Sequence, residues 1–568
     1  MSKVFRINTR TRMVTEEAFK DEYRLLGNRG LTAKFLLDEV DPLCDPLGPD
    51  NKLVLCTSVF AGTGLSTSYR VSFGAKSPLT GGIKESNVGG GLGYYLSQHG
   101  IRMMIFEDKP EDDRWHYVRV RADGNVELLP ADDLRGLNNY ALVEKLQEKH
   151  GKECGVATLG IAGERQYNVA SIMVADHFTG KPTRAAGRGG LGAVMGSKQI
   201  KAIVVEKAAH RAGVVFADKE RFETARKKFK NTVLSKDAVK GLSEGGTHGI
   251  MDMTAALNIM PVKNFSGEMV DQERFKAVSV DGFKAKIDEN GGKTGQPCQP
   301  GCLVRCANIY NDSDGNFLTG GLEYETTVMF GPNIDVYDMD FLAKVDRMLD
   351  DLGIDTIEMG NAVAMCMEGG KIAWGDQEAV LALLREVEQG TEFGKTLAQG
   401  TEHVGKYLGV KRIPTVKKQS IPAYDPRTMK GQGVTYCLSA MGADHTTGNT
   451  VEAQGVDHAD PAGKVELAAA IQTGTAVADN IGCIFCIPHG LEPDLLPELY
   501  AGLLGGDWNM DKVLGLGIQT LLWEKEFNRK AGFTAADNML PEFLRVEKTV
   551  TGHVFNITPE ELAKVEMF

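Results

Sequence analysis

The sequence predicts a multidomain α+β protein in which a β-sheet-rich N-terminal domain is followed by two mainly α-helical domains. Short apolar runs divided by glycine, proline and aspartate fill roughly the first 205 residues, as expected for strands. Beyond about residue 215 the apolar residues recur at helical spacing, for example at Phe341, Val345, Met348 and Leu352. A chain of 568 residues is also too long for a single hydrophobic core.

These changes of pattern place the expected domain limits. The sheet domain is expected to span residues 1–208, the first helical domain 209–415 and the second helical domain 416–568. The first limit follows the change in periodicity. The second lies in a stretch rich in Gly, Pro and Lys, residues 409–418, which separates two groups of helices.

Charge and composition exclude several classes of function. The net charge of −12 argues against a nucleic-acid-binding surface, which needs a field of Lys and Arg. The first 14 residues contain no apolar segment, so we expect neither a signal peptide nor a membrane anchor, and a cytoplasmic location. Ten cysteines are too sparse for a disulfide scaffold, which favours thiolates that bind metal or do chemistry.

Three cysteines, Cys298, Cys302 and Cys306, are equally spaced in a loop that also contains Pro and Gly. Zinc sites usually combine C-x-x-C pairs or histidines, and no histidine lies within forty residues of this loop. Iron–sulfur clusters commonly take three thiolates from one loop and a fourth from a distant one. Cys483 and Cys486 are the candidates for that fourth ligand, and a structural zinc site is the alternative.

Two glycine-rich loops lie in the expected sheet domain. The segment 187–192 fits G-x-G-x-x-G, but an apolar strand-like run follows after only about two helical turns, which excludes a dinucleotide fold. Glycine amides beside basic residues suit an anionic, phosphorylated ligand, whereas two tight β-turns with solvated charges are the alternative. The flanking basic residues are Arg184, Arg188 and Lys198 for this loop, and Arg70 and Lys76 for the earlier loop 86–93.

The pattern Asp-x-x-Gly occurs twice, at Asp350–Gly353 and Asp479–Gly482, and each copy follows a helix with an apolar face. A single copy usually means a glycine C-cap with a solvated aspartate. Two copies, one of which leads directly into Cys483, indicate two equivalent halves of one ligand.

Taken in order, these motifs resemble the aldehyde:ferredoxin oxidoreductase family of tungsten enzymes. The resemblance covers nearly the whole chain, and the number and order of the motifs carry it. The strings are Lys76–Gly81, Ser86–Gly90, Gly187–Lys198, the three cysteines, Gly321–Thr326, both Asp-x-x-Gly elements, Tyr424–Arg427 and Gly442–Thr446.

The resemblance implies a bis-pyranopterin that holds tungsten, or molybdenum, in the sheet domain, with one [4Fe-4S] cluster close by and a Mg²⁺ ion bridging the two pterin phosphates. Arg70 matches the family's arginine between cluster and pterin, and Asn87 with the backbone near Arg188 and Gly189 matches the magnesium site. The remaining cofactor residues expected from the match are Lys76, Gly89, Gly90, Asp350, Gly353, Asp355, Asp479 and Gly482.

Two departures from the family pattern affect the cluster ligands. Cys298 and Cys302 are separated by three residues, where the family has two. The second Asp-x-x-Gly element ends in Cys483-Ile484, where the family has Leu-Cys. The fourth ligand is therefore Cys483 or Cys486, with Cys483 favoured.

The reaction implied is oxidation of a small aldehyde to a carboxylate, with electrons passed to ferredoxin or to a ferredoxin-like iron–sulfur subunit. His445 is the expected base or hydrogen-bond donor, because an unperturbed imidazole titrates near ~6.5. Glu323 or Glu325 is the second proton-handling group, and the Tyr424 phenol is expected to orient the carbonyl oxygen.

Two other functions remain open from the sequence. The first is low-potential reduction of carboxylates or of an aromatic thioester by a catalytic subunit in a larger complex. The second is a cofactor carrier without turnover, which the intact set of acid, base and tyrosine residues disfavours. The chain can belong to a homo- or hetero-oligomer.

Overall fold

Two six-stranded sheets form the N-terminal part of the computed structural model, which describes residues 2–565. Both are mixed, with a single parallel pair each. The strands of the first are β1 (Lys3–Asn8), β2 (Met13–Ala18), β3 (Leu53–Thr57), β4 (Val71–Lys76), β5 (Ile83–Val88) and β6 (Ile101–Glu107). Those of the second are β7 (His116–Val120), β8 (Val126–Pro130), β9 (Cys154–Thr158), β10 (Ile172–Val174), β11 (Arg184–Ala186) and β12 (Ile200–Glu206).

The order of the strands brings two sheet edges together. The first sheet runs β2-β1-β6-β3-β4-β5 and the second runs β11-β10-β9-β12-β7-β8. The edge strands β5 and β11 pack against each other. The glycine loops that follow these two strands therefore lie side by side.

Helices cover both faces of the first sheet. The five helices of this part are α1 (Asn28–Glu39), α2 (Leu92–Gln98), α3 (Asn139–His150), α4 (Ile161–Glu164) and α5 (Leu191–Ser197). Helices α2 and α5 share a buried core with both sheets, while α1 covers the opposite face of the first sheet. Because it is covered on both faces, β3 is buried and almost wholly apolar rather than alternating.

The rest of the chain is mainly helical. Its helices are α6 (Lys219–Ser235), α7 (Asp237–Gly245), α8 (Met251–Ala256), α9 (Gln272–Phe275), α10 (Val280–Glu289), α11 (Tyr324–Met329), α12 (Met339–Leu352), α13 (Thr356–Glu368), α14 (Gln377–Gln389), α15 (Glu392–Leu397), α16 (Thr401–Leu408), α17 (Lys430–Leu438), α18 (Lys464–Ile481), α19 (Leu495–Leu504), α20 (Met510–Lys530), α21 (Glu542–Val546) and α22 (Pro559–Leu562). A three-stranded sheet of β13 (Lys293–Gln296), β14 (Ala307–Asn311) and β15 (Phe317–Gly320) and a short hairpin of β16 (Thr415–Val416) and β17 (Gln419–Ser420) interrupt them.

The predicted α+β class, with the sheets first and helices after them, is confirmed. One large core joins buried residues from both expected helical domains, for example Phe330 and Met365 with Tyr436 and Leu540. The limits of the three expected domains stay a prediction. None of the helices in residues 2–565 combines the length and apolar character that crossing a bilayer requires.

Candidate cofactor and active site

The predicted cysteines come together from two loops. Cys298, Cys302 and Cys306 lie between β13 and β14, and Cys483 follows directly after α18. A hydrogen bond from the Cys302 thiol lowers the pKa of Cys298 to about 6. Cys306 interacts electrostatically with both Cys298 and Cys483. The structure thus groups the three local thiols with a remote one.

The two candidates for the fourth ligand have different surroundings. Cys483 interacts with Arg70 and Cys298, and its backbone N–H donates to Thr67 Oγ1 at 3.1 Å. The Cys486 thiol contacts Ser66 Oγ at 3.5 Å, and burial raises its pKa to about 12. Cys486 also interacts electrostatically with Cys483 and Cys298. No three His, Cys, Asp or Glu side chains within residues 2–565 are arranged as ligands of a single metal ion, and this holds for the four cysteines as it does for the zinc alternative.

Arg70 lies between the cysteines and the first glycine loop. Its Nη2 donates to the Asn87 carbonyl at 3.0 Å and its Nε donates to the Asn87 side-chain oxygen. Burial acts against its charge, but Cys483 and Cys298 outweigh it and raise the pKa of Arg70. A Cβ at Gly89 would lie 3.0 Å from the Cys298 sulfur, so only glycine lets this loop pass so close to the cysteines.

The glycines of the two loops have the backbone conformations that the loops require. Gly90 has φ +96°, and a Cβ there would lie 2.8 Å from the Ala175 carbonyl. Gly189 has φ +83°, and its own carbonyl accepts a hydrogen bond of 2.7 Å from Ser77 Oγ. Contacts within the protein alone therefore hold these loops in place.

Arg188 connects the second glycine loop to the helical part. Its guanidinium donates to the carbonyls of Ala443 and Ser420, each at 2.7 Å, and to Asp355 Oδ2 at 3.3 Å. Asp355 also caps the N-terminus of α13, and burial raises its pKa to about 6. The side chain of Arg188 is thus occupied by protein partners, while the loop backbone is left for a ligand.

Sequence reasoning missed Lys84 on β5, which forms a fully buried ion pair with Asp444. The aliphatic stem of Lys84 also packs directly beneath Gly189. Asp444 resists the effect of burial because Lys84 and Arg188 hold its pKa well below the usual range. The two residues are 360 positions apart, so no local pattern could have indicated the pair.

The predicted catalytic residues His445, Glu325 and Tyr424 meet in one wall. His445 Nε2 lies 3.4 Å from Glu325 Oε1, and the imidazole lies 5.9 Å from the Tyr424 ring, which stacks on Tyr324. Burial raises the pKa of Glu325 to about 8 and lowers that of His445 to about 4. Near neutral pH, Glu325 is therefore mostly protonated and His445 is neutral.

Glu323 lies apart from this wall, on the side of the cysteines. Its Oε2 accepts a hydrogen bond of 2.5 Å from Thr247 Oγ1. Burial raises the pKa of Glu323, and the nearby Arg184 opposes that change. Of the two glutamates, only Glu325 contacts His445.

The two Asp-x-x-Gly elements differ in local structure. Gly353 ends α12 with φ +74°, and burial together with Asp346 raises the pKa of Asp350 in the last helical turn. Gly482 is extended instead, and a Cβ there would lie 2.6 Å from Thr67 Oγ1. The two motifs are thus not structurally equivalent at their glycines.

Asp479 belongs to a buried ion network that the sequence did not indicate. Arg29 on α1 donates to Asp479 Oδ2 at 3.2 Å, and makes two further bonds, of 2.8 and 2.9 Å, to Glu524 on α20. Burial raises the pKa of Asp479 to about 6. Glu85 is a further buried carboxyl beside Asp479, and burial raises its pKa to about 8.

Lys76 is not brought together with the other predicted residues. Its ammonium donates to the carbonyls of Pro42 and Cys44 at 2.6 and 2.7 Å. Lys198 similarly donates to the Gly48 carbonyl at 3.0 Å. Both lysines thus fasten the loop that follows α1.

Eight buried side-chain atoms on α11, α17, α18 and the loop that carries His445 have no hydrogen-bond partner among residues 2–565, and other such atoms are spread over the rest of the fold. Leaving such an atom unsatisfied costs about 1–3 kcal/mol, so this wall suits a polar ligand. On the sheet side, Arg70 and the glycine-loop amides fit an anionic pterin, whereas the charges of Lys84 and Arg188 are occupied by protein partners. The eight atoms of this wall that have no partner are Glu325 Oε1, His445 Nδ1, Gln432 Nε2, Thr435 Oγ1, Tyr436 Oη, Thr450 Oγ1 and both amide atoms of Gln472.

The fold is similar to that of a solved structure, the active-site complex BamBC of benzoyl coenzyme A reductase with 1,5-dienoyl-CoA. The TM-score is 0.80 at 18% identity, over 99% of this chain and 92% of that chain. At this identity the likeness concerns the fold alone.

Sequence comparisons are more specific. The tungsten-containing aldehyde ferredoxin oxidoreductase of Pyrococcus horikoshii is 32% identical over 93% of this chain and 89% of that protein. The enzyme of the same name from Pyrococcus furiosus is 30% identical over 95% and 90%. The WOR-like subunit of an aliphatic sulfonate oxidoreductase from Pyrococcus furiosus is 26% identical over 78% and 73%.

Family models give the same result and confirm the resemblance inferred from the motifs. The model described as aldehyde ferredoxin oxidoreductase, N-terminal domain, matches residues 4–207. The model described as aldehyde ferredoxin oxidoreductase, domains 2 and 3, matches residues 224–565. The chain therefore belongs to the aldehyde ferredoxin oxidoreductase family of oxidoreductase enzymes.

Proposed function

We propose that this protein oxidises small aldehydes to carboxylic acids at a tungsten bis-pyranopterin, and delivers the electrons to ferredoxin or a ferredoxin-like subunit. The balance is one aldehyde and one water to one carboxylic acid, two protons and two electrons. The chain must therefore hold the aldehyde, accept protons and provide a path for single electrons.

The observation that carries this proposal is the contact between His445 and Glu325 beside Tyr424. Glu325 Oε1 and His445 Nδ1 are both buried, and neither has a hydrogen-bond partner among residues 2–565. Burial and the neighbouring Glu325 keep the pKa of Tyr424 well above its usual value, so its phenol stays protonated and can donate a hydrogen bond. A hydrogen-bond donor and a proton acceptor thus stand in one wall, as aldehyde oxidation requires.

Glu325 decides which nitrogen of His445 is the base. Glu325 Oε1 and His445 Nε2 lie 3.4 Å apart and form no hydrogen bond in this structure. In the proposed mechanism the contact shortens when substrate binds. A protonated Glu325 then donates to Nε2, which leaves the proton of the neutral imidazole on Nδ1. An ionised Glu325 accepts from Nε2–H instead, and Nδ1 then becomes the free acceptor. In the proposal, the catalytic base is Nδ1 with Glu325 ionised.

The bound pterin would supply the two-electron acceptor and activate the oxygen nucleophile, which no protein side chain does. Residues that would hold it are the glycine-loop amides, Arg70 and Asp479. Magnesium would bind at Asn87, whose amide oxygen has two lone pairs and can accept from Arg70 and also ligate an ion. The [4Fe-4S] cluster would be held by Cys298, Cys302, Cys306 and Cys483.

The aldehyde reaction is preferred to low-potential reduction because relatives at 30–32% identity carry the aldehyde name. The benzoyl coenzyme A reductase complex matches at 18% identity and supports only a common fold. No contact in the wall around His445 favours a thioester over an aldehyde.

Anaerobic purification followed by elemental analysis and dye reduction tests the proposal. We expect tungsten, about four iron atoms per chain and reduction of a viologen dye by at least one aldehyde of a panel. Reduction of a carboxylate or thioester without aldehyde turnover would favour the second function. Normal aldehyde turnover by a metal-replete His445→Ala variant would remove His445 from the mechanism.

A further inference from the structure

The segment 226–240, which covers the second half of α6 and the start of α7, is unusually basic for this protein. It contains six basic residues and one acidic residue, in a chain of net charge −12. Lys227, Lys230 and Lys236 are exposed, and no carboxylate within residues 2–565 lies at ion-pair distance from them. These three charges are free to act on another molecule.

The buried side of α6 packs on the loop that carries the remote cysteines. Phe229 and Val233 share a core cluster with Cys302, Cys483 and Cys486. A Cβ at Gly490, four residues beyond Cys486, would lie 2.2 Å from the Phe229 ring. The basic face of α6 is therefore the outer side of the layer that covers the cysteines.

Two further contacts extend this surface around the cysteines. Lys236 interacts electrostatically with His489, three residues after Cys486. A Cβ at Gly246, just after α7, would lie 2.7 Å from the Cys306 carbonyl. The adjoining Arg305 side chain is exposed. Lys236 and Arg305 thus place positive charge beside the two cysteine loops.

Leu234 lies within the basic segment, and 42% of its surface is exposed. The one acidic residue of the segment, Asp237, is paired with Lys240. An exposed apolar residue beside unpaired charges suits a short-lived protein complex, in which the charges increase the rate of encounter. A positive surface complements an acidic protein. We call Lys227, Lys230, Lys236, Arg305 and Leu234 the basic docking surface.

We propose that the basic docking surface binds an acidic protein electron carrier. The inference rests on the proposed function, in which the cysteine loops are the exit for electrons. Each aldehyde yields two electrons, so two oxidised carriers dock in turn, and each is reduced by one electron without bond formation or proton transfer.

The test compares two electron acceptors on the anaerobic holoenzyme: a purified acidic bacterial ferredoxin and benzyl viologen, a small cationic dye. In the triple variant Lys227→Glu, Lys230→Glu and Lys236→Glu, kcat/KM for ferredoxin should fall by at least about tenfold. Turnover with the dye and the metal content should stay at the wild-type level. For the wild type alone, ferredoxin reduction should slow as salt rises from about 0.01 to about 0.1 M, over which the Debye length shortens from about 30 to about 10 Å.

The matched control is the triple variant Lys344→Glu, Lys411→Glu and Lys548→Glu, which reverses three exposed lysines outside the surface. Wild-type ferredoxin kinetics in the triple variant, or an equal loss in the control, would overturn the docking proposal while leaving the proposed function intact. An absence of aldehyde-dependent dye reduction in the wild type would instead overturn the proposed function.

Discussion

The opposite pKa shifts of Glu325 and His445 give a test at the scale of single residues. Burial raises the pKa of Glu325 to about 8 and lowers that of His445 to about 4. The ionised fraction of Glu325 rises with pH, so a base that requires the carboxylate becomes more active as pH increases. We expect kcat/KM with a dye acceptor to rise between pH 7 and pH 9 with a midpoint at about 8.

Glu325→Gln should abolish that rise, because the amide oxygen accepts from Nε2–H at every pH. His445→Ala should lower kcat by about 10²- to 10⁴-fold at full metal content. An unchanged pH profile in Glu325→Gln, or a rate that falls above pH 8 in the wild type, would contradict the proposed role of Glu325.

The fourth cluster ligand is also a question for single residues. Cys483 interacts with Arg70, Cys298 and Cys306. Cys486 also interacts with Cys483 and Cys298, but its thiol contacts Ser66. We expect Cys483→Ala to lose most of its iron in anaerobic preparations, and Cys486→Ala to keep about four iron atoms per chain. Iron analysis and the visible spectrum measure this, and the reverse result would assign the ligand to Cys486.

Motifs whose residues lie close together in the sequence could be predicted. Ion pairs between residues that are far apart in the sequence could not. The three cysteines and the two glycine loops could be found because each motif lies within a few residues. Lys84 with Asp444 and Arg29 with Glu524 are separated by 360 and 495 residues, and single-sequence patterns contain no signal for such pairs. Lys76 was predicted to bind the cofactor because it precedes the glycine loop, yet its ammonium points to carbonyls in another loop.

At the scale of elements, α1, α18 and α20 are joined by a buried ion network. Arg29 on α1 pairs with Asp479 on α18 and Glu524 on α20, and all three side chains are at most 7% exposed. Removing one charge leaves the others buried without a partner, which costs about 3–5 kcal/mol. We expect Arg29→Met to lower the free energy of unfolding by that amount, measured by denaturant titration.

An exposed pair on the same helix provides the control for this prediction. The side chains of Arg529 and Glu526 on α20 are 66% and 36% exposed. Arg529→Met should change the free energy of unfolding by about 0.5 kcal/mol or less. Similar effects of the two substitutions would mean that the Arg29 network contributes no more than a surface pair.

At the scale of the whole molecule, the expected cofactor lies between parts that are distant in sequence. The sheet side contributes Arg70, Lys84 and Arg188, and the helical side contributes α17, α18 and the loop of His445. Periodicity predicted both sides separately, but not that β5 and β11 would meet. Strand order within a sheet depends on long-range pairing, which motifs in one sequence do not encode.

This arrangement predicts that the cofactor and the contacts around it form one cooperative unit. The polar atoms of α17 and α18 that have no partner among residues 2–565 would gain hydrogen bonds from a bound pterin, and binding to the folded state alone stabilises it. Hydrogen exchange measured on holoenzyme and on protein from a host unable to make pterin should differ in residues 430–438 and 444–450, and in the loops 86–90 and 187–190. Strands β1 and β6 lie away from the edge of the first sheet that carries the glycine loop, and they should exchange at the same rate in both forms. Equal exchange throughout would show that the wall satisfies its polar groups without the cofactor, and faster exchange everywhere would show that the whole fold depends on it.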